Sequence, residues 1–450
     1  MERSETIAAV ATPPGRGGVG IVRVSGPAVA AVARGVLGDL PPARRAVLRS
    51  FRDAGGGTID TGIALLFPGP GSYTGEDVLE LQGHGGPVVQ ALLLERCLEL
   101  GARRARPGEF TERAFLNGRL DLAQAEAVAD LIDSASAAAA RAAARSLEGR
   151  FSAEIRELDR RLLDLRARLE GDLDFPDEGE DFLAAGGVNE GLAALAADLD
   201  RLLHRARQGR LLRDGLHVVI AGPPNAGKSS LLNALAGANA AIVTGVPGTT
   251  RDLLRERIVL QGIPVELVDT AGLRETDDEV ERIGVERAWE AAAHADRILL
   301  VVDDRRGVDA DGEAILQRLH AVRDRVTLVR NKIDLTGRRA GTCTQDPAPC
   351  LALSAATGAG LDALRAHLLA AAGAGAGGDG DFSARQRHLE ALARAAEHLQ
   401  CARRQLAEPG ALELAAEDLR LAHRAFGDIL GHTTTEDLLG HIFASFCIGK

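Results

Sequence analysis

The chain has 450 residues, 46% apolar and 26% charged, with a formal net charge of −11. This is the balance of an ordinary soluble protein with room for about three domains. It excludes a uniformly basic nucleic-acid binder, although local arginine clusters can still hold phosphates. No stretch approaches the ~18 uninterrupted apolar residues of a membrane span, and no signal-peptide apolar region follows Met1-Glu2-Arg3-Ser4. Cys97, Cys343, Cys350, Cys401 and Cys447 form no CxxC pair and no Cys/His metal spacing, so a cytosolic protein without a disulfide framework or zinc site is expected. Of the 53 basic side chains, only Lys228, Lys332 and Lys450 are lysine. Lysine is a compact charge on a flexible stem, where arginine is a planar fork. In a chain so biased toward arginine, all three lysines become functional candidates.

From Thr6 the chain reads as β-rich. Strands are predicted at Ile7–Ala11 and Val19–Val24, separated by the Pro/Gly loop Thr12-Pro-Pro-Gly-Arg-Gly-Gly18. A helix at Pro27–Leu37, a strand at Ile59–Phe67 and a helix at Pro87–Leu100 complete an α+β domain ending near residue 117. Two segments have the polar, glycine-rich composition of ligand loops. One is Tyr73-Thr-Gly-Glu-Asp77 with Glu80-Leu-Gln-Gly-His84-Gly-Gly86; the other is Arg106-Pro-Gly-Glu-Phe-Thr-Glu-Arg113 with Asn117-Gly-Arg-Leu-Asp121. His84, among glycines, reads as a turn residue. From Leu122 to about Arg213 the chain is alanine-rich, with Leu158, Leu162, Leu165 and Leu169 at helical spacing. An acidic Pro/Gly break at 173–181 reads as a solvated loop rather than a metal site.

Leu216–Ala221 is a short apolar run followed at once by Gly222-Pro-Pro-Asn-Ala-Gly227-Lys228-Ser229 and a helix-like Ser230-Leu-Leu-Asn. Strand, glycine-bounded loop and helix N-terminus are the setting in which a Walker A pattern has a mechanism. Backbone N–H groups of Asn225, Ala226, Gly227 and Ser230 and the helix dipole cradle phosphates, Lys228 reaches the outer phosphates, and Ser229 holds Mg²⁺. Strand-like and helix-like segments then alternate to about Ala372: Arg257–Leu260, Val265–Asp269, a helix near Glu279–Ala293, Ile298–Asp303, Val326–Asn331, Leu351–Ser354 and a helix from Leu361. This predicts a doubly wound, mostly parallel Ras-like sheet, with Gln261-Gly262 turning its one antiparallel pair.

Asn331-Lys332-Ile333-Asp334 supplies guanine specificity, because the Asp334 carboxylate accepts from N1–H and the exocyclic amine, an edge adenine lacks. The Lys332 stem lies along the base, and Ser354-Ala355-Ala356 fits the loop that donates an N–H to the guanine oxygen. Asp269-Thr270-Ala271-Gly272 matches the DxxG element, and Thr250, in Thr249-Thr-Arg-Asp252, is the natural second Mg²⁺ ligand. Four elements in order identify a GTPase. Leu273, however, stands where small switch GTPases carry a water-orienting glutamine. Either hydrolysis is slow or another residue acts; Glu281 is the nearby carboxylate, which by its residue type alone reads first as an exposed helix-face residue.

Ala374–Asp381 is a Gly-rich linker, after which helical periodicity resumes over Ala384–Leu406 and from Leu412 onward. Helical blocks on both sides of a compact module indicate one helical domain with the module inserted. The division is 1–117 (α+β), 118–213 (helical, first part), 214–373 (GTPase) and 374–450 (linker and helical, second part). Thr433-x-x-Glu436 is a capping box opening a last helix through Phe446. The tail Cys447-Ile-Gly-Lys450 is either frayed or, holding the third lysine and a cysteine, functional.

These motifs together resemble the MnmE (TrmE) family of tRNA modification GTPases over essentially the full length. The residues that carry the resemblance are Ala11-Thr-Pro-Pro-Gly-Arg-Gly-Gly-Val-Gly20, Tyr73–Asp77, Leu81–Gly86, Pro107–Thr111, the GTPase set and Cys447-Ile-Gly-Lys450. The resemblance implies a homodimer formed through the N-terminal domains. It also implies a complex, heterotetrameric or larger, with an MnmG-like flavoprotein that alone carries FAD and NADH. The implied activity is installing aminomethyl or carboxymethylaminomethyl groups on the wobble uridine of certain tRNAs, with a 5-formyl- or methylene-tetrahydrofolate one-carbon unit. By matching motifs, Arg23, Glu80, Arg119 and Lys450 correspond to folate contacts, and Cys447 to a tail cysteine of open chemical role counted among the catalytic candidates with Lys228 and Glu281. The family's hydrolysis is potassium-activated. The ion's ligands map to the Asn225 side chain, Thr244, Val246 and Thr249, in the nucleotide loop Thr244-Gly245-Val246-Pro247-Gly248-Thr249, and the water-orienting glutamate maps to Glu281. Departures are Arg119, often lysine in the family, Pro223, commonly arginine, and Pro247, which fixes φ and removes a donor within the potassium loop. A rival reading, a regulatory GTPase of ribosome assembly, calls for an RNA-binding module after the GTPase domain, where this sequence has only helices and its tail. A second rival, a folate protein with a merely structural GTPase module, is opposed by intact Lys228, Asp269 and Asp334.

Overall fold

The computed structural model of the protein describes residues 5–174, 187–237, 254–269, 289–343, 349–371, 381–408, 411–432 and 436–449. The chain forms two compact units. One comprises 1–129, 146–196 and 391–450; the other comprises 130–145 and 197–390. Their borders fall within helices, among them Leu122–Ile132, Val188–Asp214 and Gln386–Gln405. Among the described residues no helix is long and apolar enough to cross a membrane.

The first unit opens with a six-stranded sheet built from β1 (Ile7–Val10), β2 (Gly17–Ser25), β3 (Val47–Arg52), β4 (Thr58–Phe67), β5 (Val78–Gly85) and β6 (Arg103–Arg104) in the order β3-β4-β5-β2-β1-β6. All neighbours are antiparallel except β1 and β6. Val22, Val24, Phe51, Leu79 and Leu81 alternate onto one face, where they meet Val32 and Val36 of helix Val29–Leu37 and Leu93 and Cys97 of helix Pro87–Glu99. The period of two on the strands and of three to four on the helices is what lets one apolar layer serve both. Ile7, Ala9, Ala105 and Phe110 form a smaller cluster.

The segment through Glu80 and His84, expected to be a ligand loop, is strand β5, and helix Glu109–Leu116 begins within the Arg106–Arg113 segment. His84 is not a turn residue. It sits on β5 with its N–H donating to Asp60 Oδ2 at 2.7 Å and its Nδ1 2.8 Å from Oδ1. The helical part of this unit holds Arg150–Asp174 against Leu412–Leu430, with Leu158, Leu162, Leu165 and Leu169 buried and Asp159 paired to His423. The acidic break lies mostly outside the described residues, as do the linker through 380 and Thr433 of the capping box; the last helix is Glu436–Ala444.

The second unit carries a seven-stranded sheet in the order β12-β13-β11-β10-β7-β9-β8. Its strands are β7 (Leu216–Ala221), β8 (Leu254–Leu260), β9 (Ile263–Asp269), β10 (Arg297–Asp303), β11 (Val326–Asn331), β12 (Gly341–Cys343) and β13 (Cys350–Ala352). The central strands are parallel. Leu216, Val218 and Ile220 feed one apolar layer and Val219 and Ala221 the other, so both faces are covered, as a doubly wound sheet requires. Gln261 (φ 49°) and Gly262 (φ 90°) turn β8 into β9. A second antiparallel pair, β12 with β13, adds to the single one expected.

Candidate functional site

At the C-terminal end of β7 the backbone must bend sharply into helix Lys228–Ala236, and each motif glycine has its own reason. Gly222 (φ 148°) lies so close to β10 that a Cβ would overlap the Val301 carbonyl. Gly227 (φ 95°) caps the helix in the left-handed region, and a Cβ there would overlap the Asn331 side-chain amide. Asn225 (φ 62°) takes the same region, which asparagine tolerates. Lys228 folds back over this loop, Nζ donating to the carbonyls of Gly222 at 2.9 Å and Pro223 at 3.2 Å. The ammonium therefore already stands over the concavity formed by the loop and the helix N-terminus, and the cradle fits phosphate oxygens. Ser229 and Ser230 are exposed in the first helical turn.

Asn331 is buried and acts as a buckle rather than a base contact. Its Nδ2 donates to the Ala226 carbonyl at 3.0 Å, while its Oδ1 accepts from the backbone N–H groups of Lys332 at 2.8 Å and Ala355 at 3.0 Å. One side chain thereby ties together the phosphate loop, the NKxD turn and the Ser354–Ala356 loop. Lys332 (φ 66°) places Nζ 2.5 Å from the Asn225 carbonyl and 3.0 Å from Asp303 Oδ2. Asp334 is exposed at the open edge of the same turn, and Ser354 is buried, its Oγ accepting from the Thr357 N–H at 3.2 Å. Thr244, Gly245, Val246, Pro247, Gly248, Thr249, Thr250, Thr270, Ala271, Gly272 and Glu281 lie outside the described residues, and Asp269 is described only as the last residue of β9.

In the other unit, Arg23 on β2 stands across from Glu80 on β5, Nε 3.0 Å and Nη2 3.0 Å from Oε1. Its guanidinium lies over the rings of Tyr73 at 5.6 Å and Phe110 at 5.7 Å, and Nη1 donates to the Gly449 carbonyl at 3.3 Å. The tail is seated here. The Gly108 N–H donates to the Cys447 carbonyl at 3.3 Å, and a Cβ on Gly449 would overlap the Val10 carbonyl. Cys447 itself is exposed, Lys450 lies outside the described residues, and Arg119 is exposed with its stem along Gly75. Arg23, Glu80 and the tail are thus brought together, whereas Arg119 makes no described contact with them.

Beneath this site lies a network that composition alone did not reveal. Glu109 is buried, its carboxylate held by Arg103 (2.6 and 2.8 Å), Arg113 (3.1 Å) and the Arg106 N–H (2.8 Å). Burial raises its pKa, but these donors outweigh burial and bring it down to about 2. Arg113 also pairs with Glu76 at 2.9 Å, and Glu76 accepts from Ser25 at 2.8 Å. Burial likewise raises the Tyr73 hydroxyl pKa. Among the described residues no group of His, Cys, Asp and Glu is arranged to hold a metal, and none of the five cysteines is in a disulfide.

Residues 6–119 match a family profile described as the GTP-binding protein TrmE N-terminus, and residues 122–447 match the MnmE helical domain. Over all of this chain and all of theirs, it is 55% identical to the tRNA modification GTPases MnmE of Sodalis glossinidius and of Pectobacterium atrosepticum. The chain belongs to the tRNA modification GTPase MnmE family. The MnmE match is full-length, so it takes in the nucleotide loops, the Arg23 site and the tail alike. A shorter likeness, at 26% identity and a TM-score of 0.27, is to the G domain of the T. maritima FeoB iron transporter, covering 35% of this chain and 98% of that one.

Proposed function

We propose that this chain is a GTP-hydrolysing tRNA modification protein. With an MnmG-like flavoprotein that carries FAD and NADH, it adds aminomethyl or carboxymethylaminomethyl groups to the wobble uridine of certain tRNAs, using a tetrahydrofolate one-carbon unit. The observation that carries the reading is the Asn331 buckle: phosphate loop, guanine turn and Ser354–Ala356 loop are fastened by one side chain in a chain 55% identical, end to end, to MnmE proteins. The working division is an N-terminal folate and dimerisation domain over 1–117, a helical domain over 118–213 and 374–450, and the inserted GTPase module over 214–373, acting as a cytoplasmic homodimer.

Lys228 exchanges its two carbonyl partners for the outer phosphates of GTP, and the N-terminus of helix Lys228–Ala236 adds its N–H groups. Asp334 accepts the two guanine donors. Ser229 and Thr250 would hold Mg²⁺, and Asn225, Thr244, Val246 and Thr249 would hold K⁺; cations held there would offset the charge that develops on the phosphates. Leu273 cannot orient water, so Glu281 takes that role. GTP hydrolysis then brings the two GTPase modules of the dimer together. In the other unit the Arg23 guanidinium, the Tyr73 and Phe110 rings and the tail with Lys450 suit an anionic, aromatic folate. The cation role is tested by phosphate release in matched potassium and sodium buffers. Release faster in potassium by at least about tenfold is expected, and equal rates contradict the assignment.

A further inference from the structure

Lys332 was legible as a motif residue, but the group that holds it was not. The Lys332 ammonium sits between two oxygens, the Asn225 carbonyl at 2.5 Å and Asp303 Oδ2 at 3.0 Å. Asp303 is the last residue of β10 and pairs in register with Asn331 of β11, so the strand end delivers its carboxylate beside the NKxD turn. Its side chain is 10% exposed. Arg305 orients it, with Nε 3.0 Å from Oδ1, Nη2 2.6 Å from Oδ2 and the backbone N–H 3.1 Å from Oδ1. The next carboxylate, Asp304, fastens the far side of the same turn, accepting from Thr336 Oγ1 at 2.5 Å and Arg338 Nε at 2.8 Å.

We infer that Asp303 is a positioning residue of the guanine site: it holds the Lys332 ammonium against the Asn225 carbonyl and so couples the base-reading turn to the phosphate loop. The inference rests on the nucleotide reading proposed above. It also accounts for one of the retained lysines. A single compact nitrogen must meet a backbone carbonyl and a carboxylate at once, close to Gly227, where a Cβ would come 3.8 Å from Lys332 Cε; a planar guanidinium matches a bidentate carboxylate instead. With its head fixed, the Lys332 stem is preset along the base rather than ordered on binding, and preorganisation of this kind appears as slower release.

The test is the release rate of a fluorescent GDP analogue from the full chain, for the parent, Asp303→Asn, Lys332→Met and the double variant. Because a hydrogen bond to a charged group is at stake, Asp303→Asn is expected to speed release about tenfold. In the Lys332→Met background the same change is expected to add less than about twofold, since Asp303 acts through Lys332. A rate within about twofold of the parent for Asp303→Asn, or effects of the two changes that multiply, would overturn the inference while leaving the nucleotide reading intact. A parent that binds no GDP overturns both. Circular dichroism melts check folding; should Asp303→Asn not fold, Arg305→Gln replaces it. That variant is expected to release about threefold faster, an effect lost in the Lys332→Met background, and an unchanged rate is again contradictory.

Discussion

Glu109→Gln removes the charge at the centre of the network under the Arg23 site while keeping the shape of the side chain. The carboxylate is 3% exposed, and its pKa is brought from an ordinary 4.5 to about 2 by Arg103, the Arg106 N–H and Arg113 against the opposing effect of burial. At ~1.4 kcal/mol for each tenfold change in proton affinity, this depression corresponds to about 3 kcal/mol of folding stability. Because the folded pKa is the lower one, the contribution is complete above about pH 4.5 and disappears as the pH falls toward 2. Arg113 keeps Glu76 and Arg103 keeps Glu5 in the variant, which moderates the loss. The assay is urea unfolding of the full chain near pH 7 and again at about pH 3. Tyr73, the single tyrosine, reports this unit, with its hydroxyl 2.9 Å from Thr111 Oγ1 in the helix of Glu109; Trp289, the single tryptophan, reports the other unit. The expected result is a Tyr73 transition destabilised by about 2–3 kcal/mol near pH 7, a gap that narrows in acid, and an unmoved Trp289 transition. Equal midpoints near pH 7, or a gap that persists undiminished in acid, would refute the reasoning.

Asp334→Asn exchanges an acceptor-only carboxylate for an amide that donates to the xanthine O2 and accepts from its N1–H. It should lower GTP use by at least about a hundredfold and create use of xanthosine triphosphate, read as phosphate release with each nucleotide; unchanged guanine preference would contradict the role of Asp334. Asp130, 4% exposed, joins Arg213 and Arg385 at 2.7 Å each and Ser383 at 3.2 Å, drawing together the stretches of chain that enter and leave the nucleotide module. Asp130→Ala leaves two half-buried guanidiniums without this partner and should cost about 1.5–3 kcal/mol, seen in the Trp289 transition; a loss below about 0.5 kcal/mol would show the junction to be solvated.

The phosphate loop, the guanine turn and most of the parallel strands were legible because each rests on short-range chemistry: a glycine where backbone crowds, an asparagine in the left-handed region, an apolar run of strand length. Strand β5 was misread as a loop because Gly83 and Gly85 look like turn residues. In the fold they mark close approach, since a Cβ on Gly83 would overlap the Asp60 carboxylate and one on Gly85 would fall 2.6 Å from the Gly17 carbonyl. The same Asp60 recruits His84 to the strand. Strand β12, Gly341–Cys343, spans too few residues to carry a period. The Glu109 and Asp303 networks escaped for another reason. Arg103, Arg106 and Arg113 lie near Glu109 in the chain, and Arg305 near Asp303, but Glu76 reaches Arg113 across 37 residues and Asp303 reaches Lys332 across 29, and no local pattern predicts those contacts.

The most direct test of the account is nucleoside mass spectrometry of tRNA from cells lacking this protein, complemented with the parent chain or with Lys228→Ala. The account predicts that modified wobble uridine disappears without the protein, returns with the parent and stays absent with Lys228→Ala. Wobble uridines unchanged by the loss, or fully restored by Lys228→Ala, would contradict it.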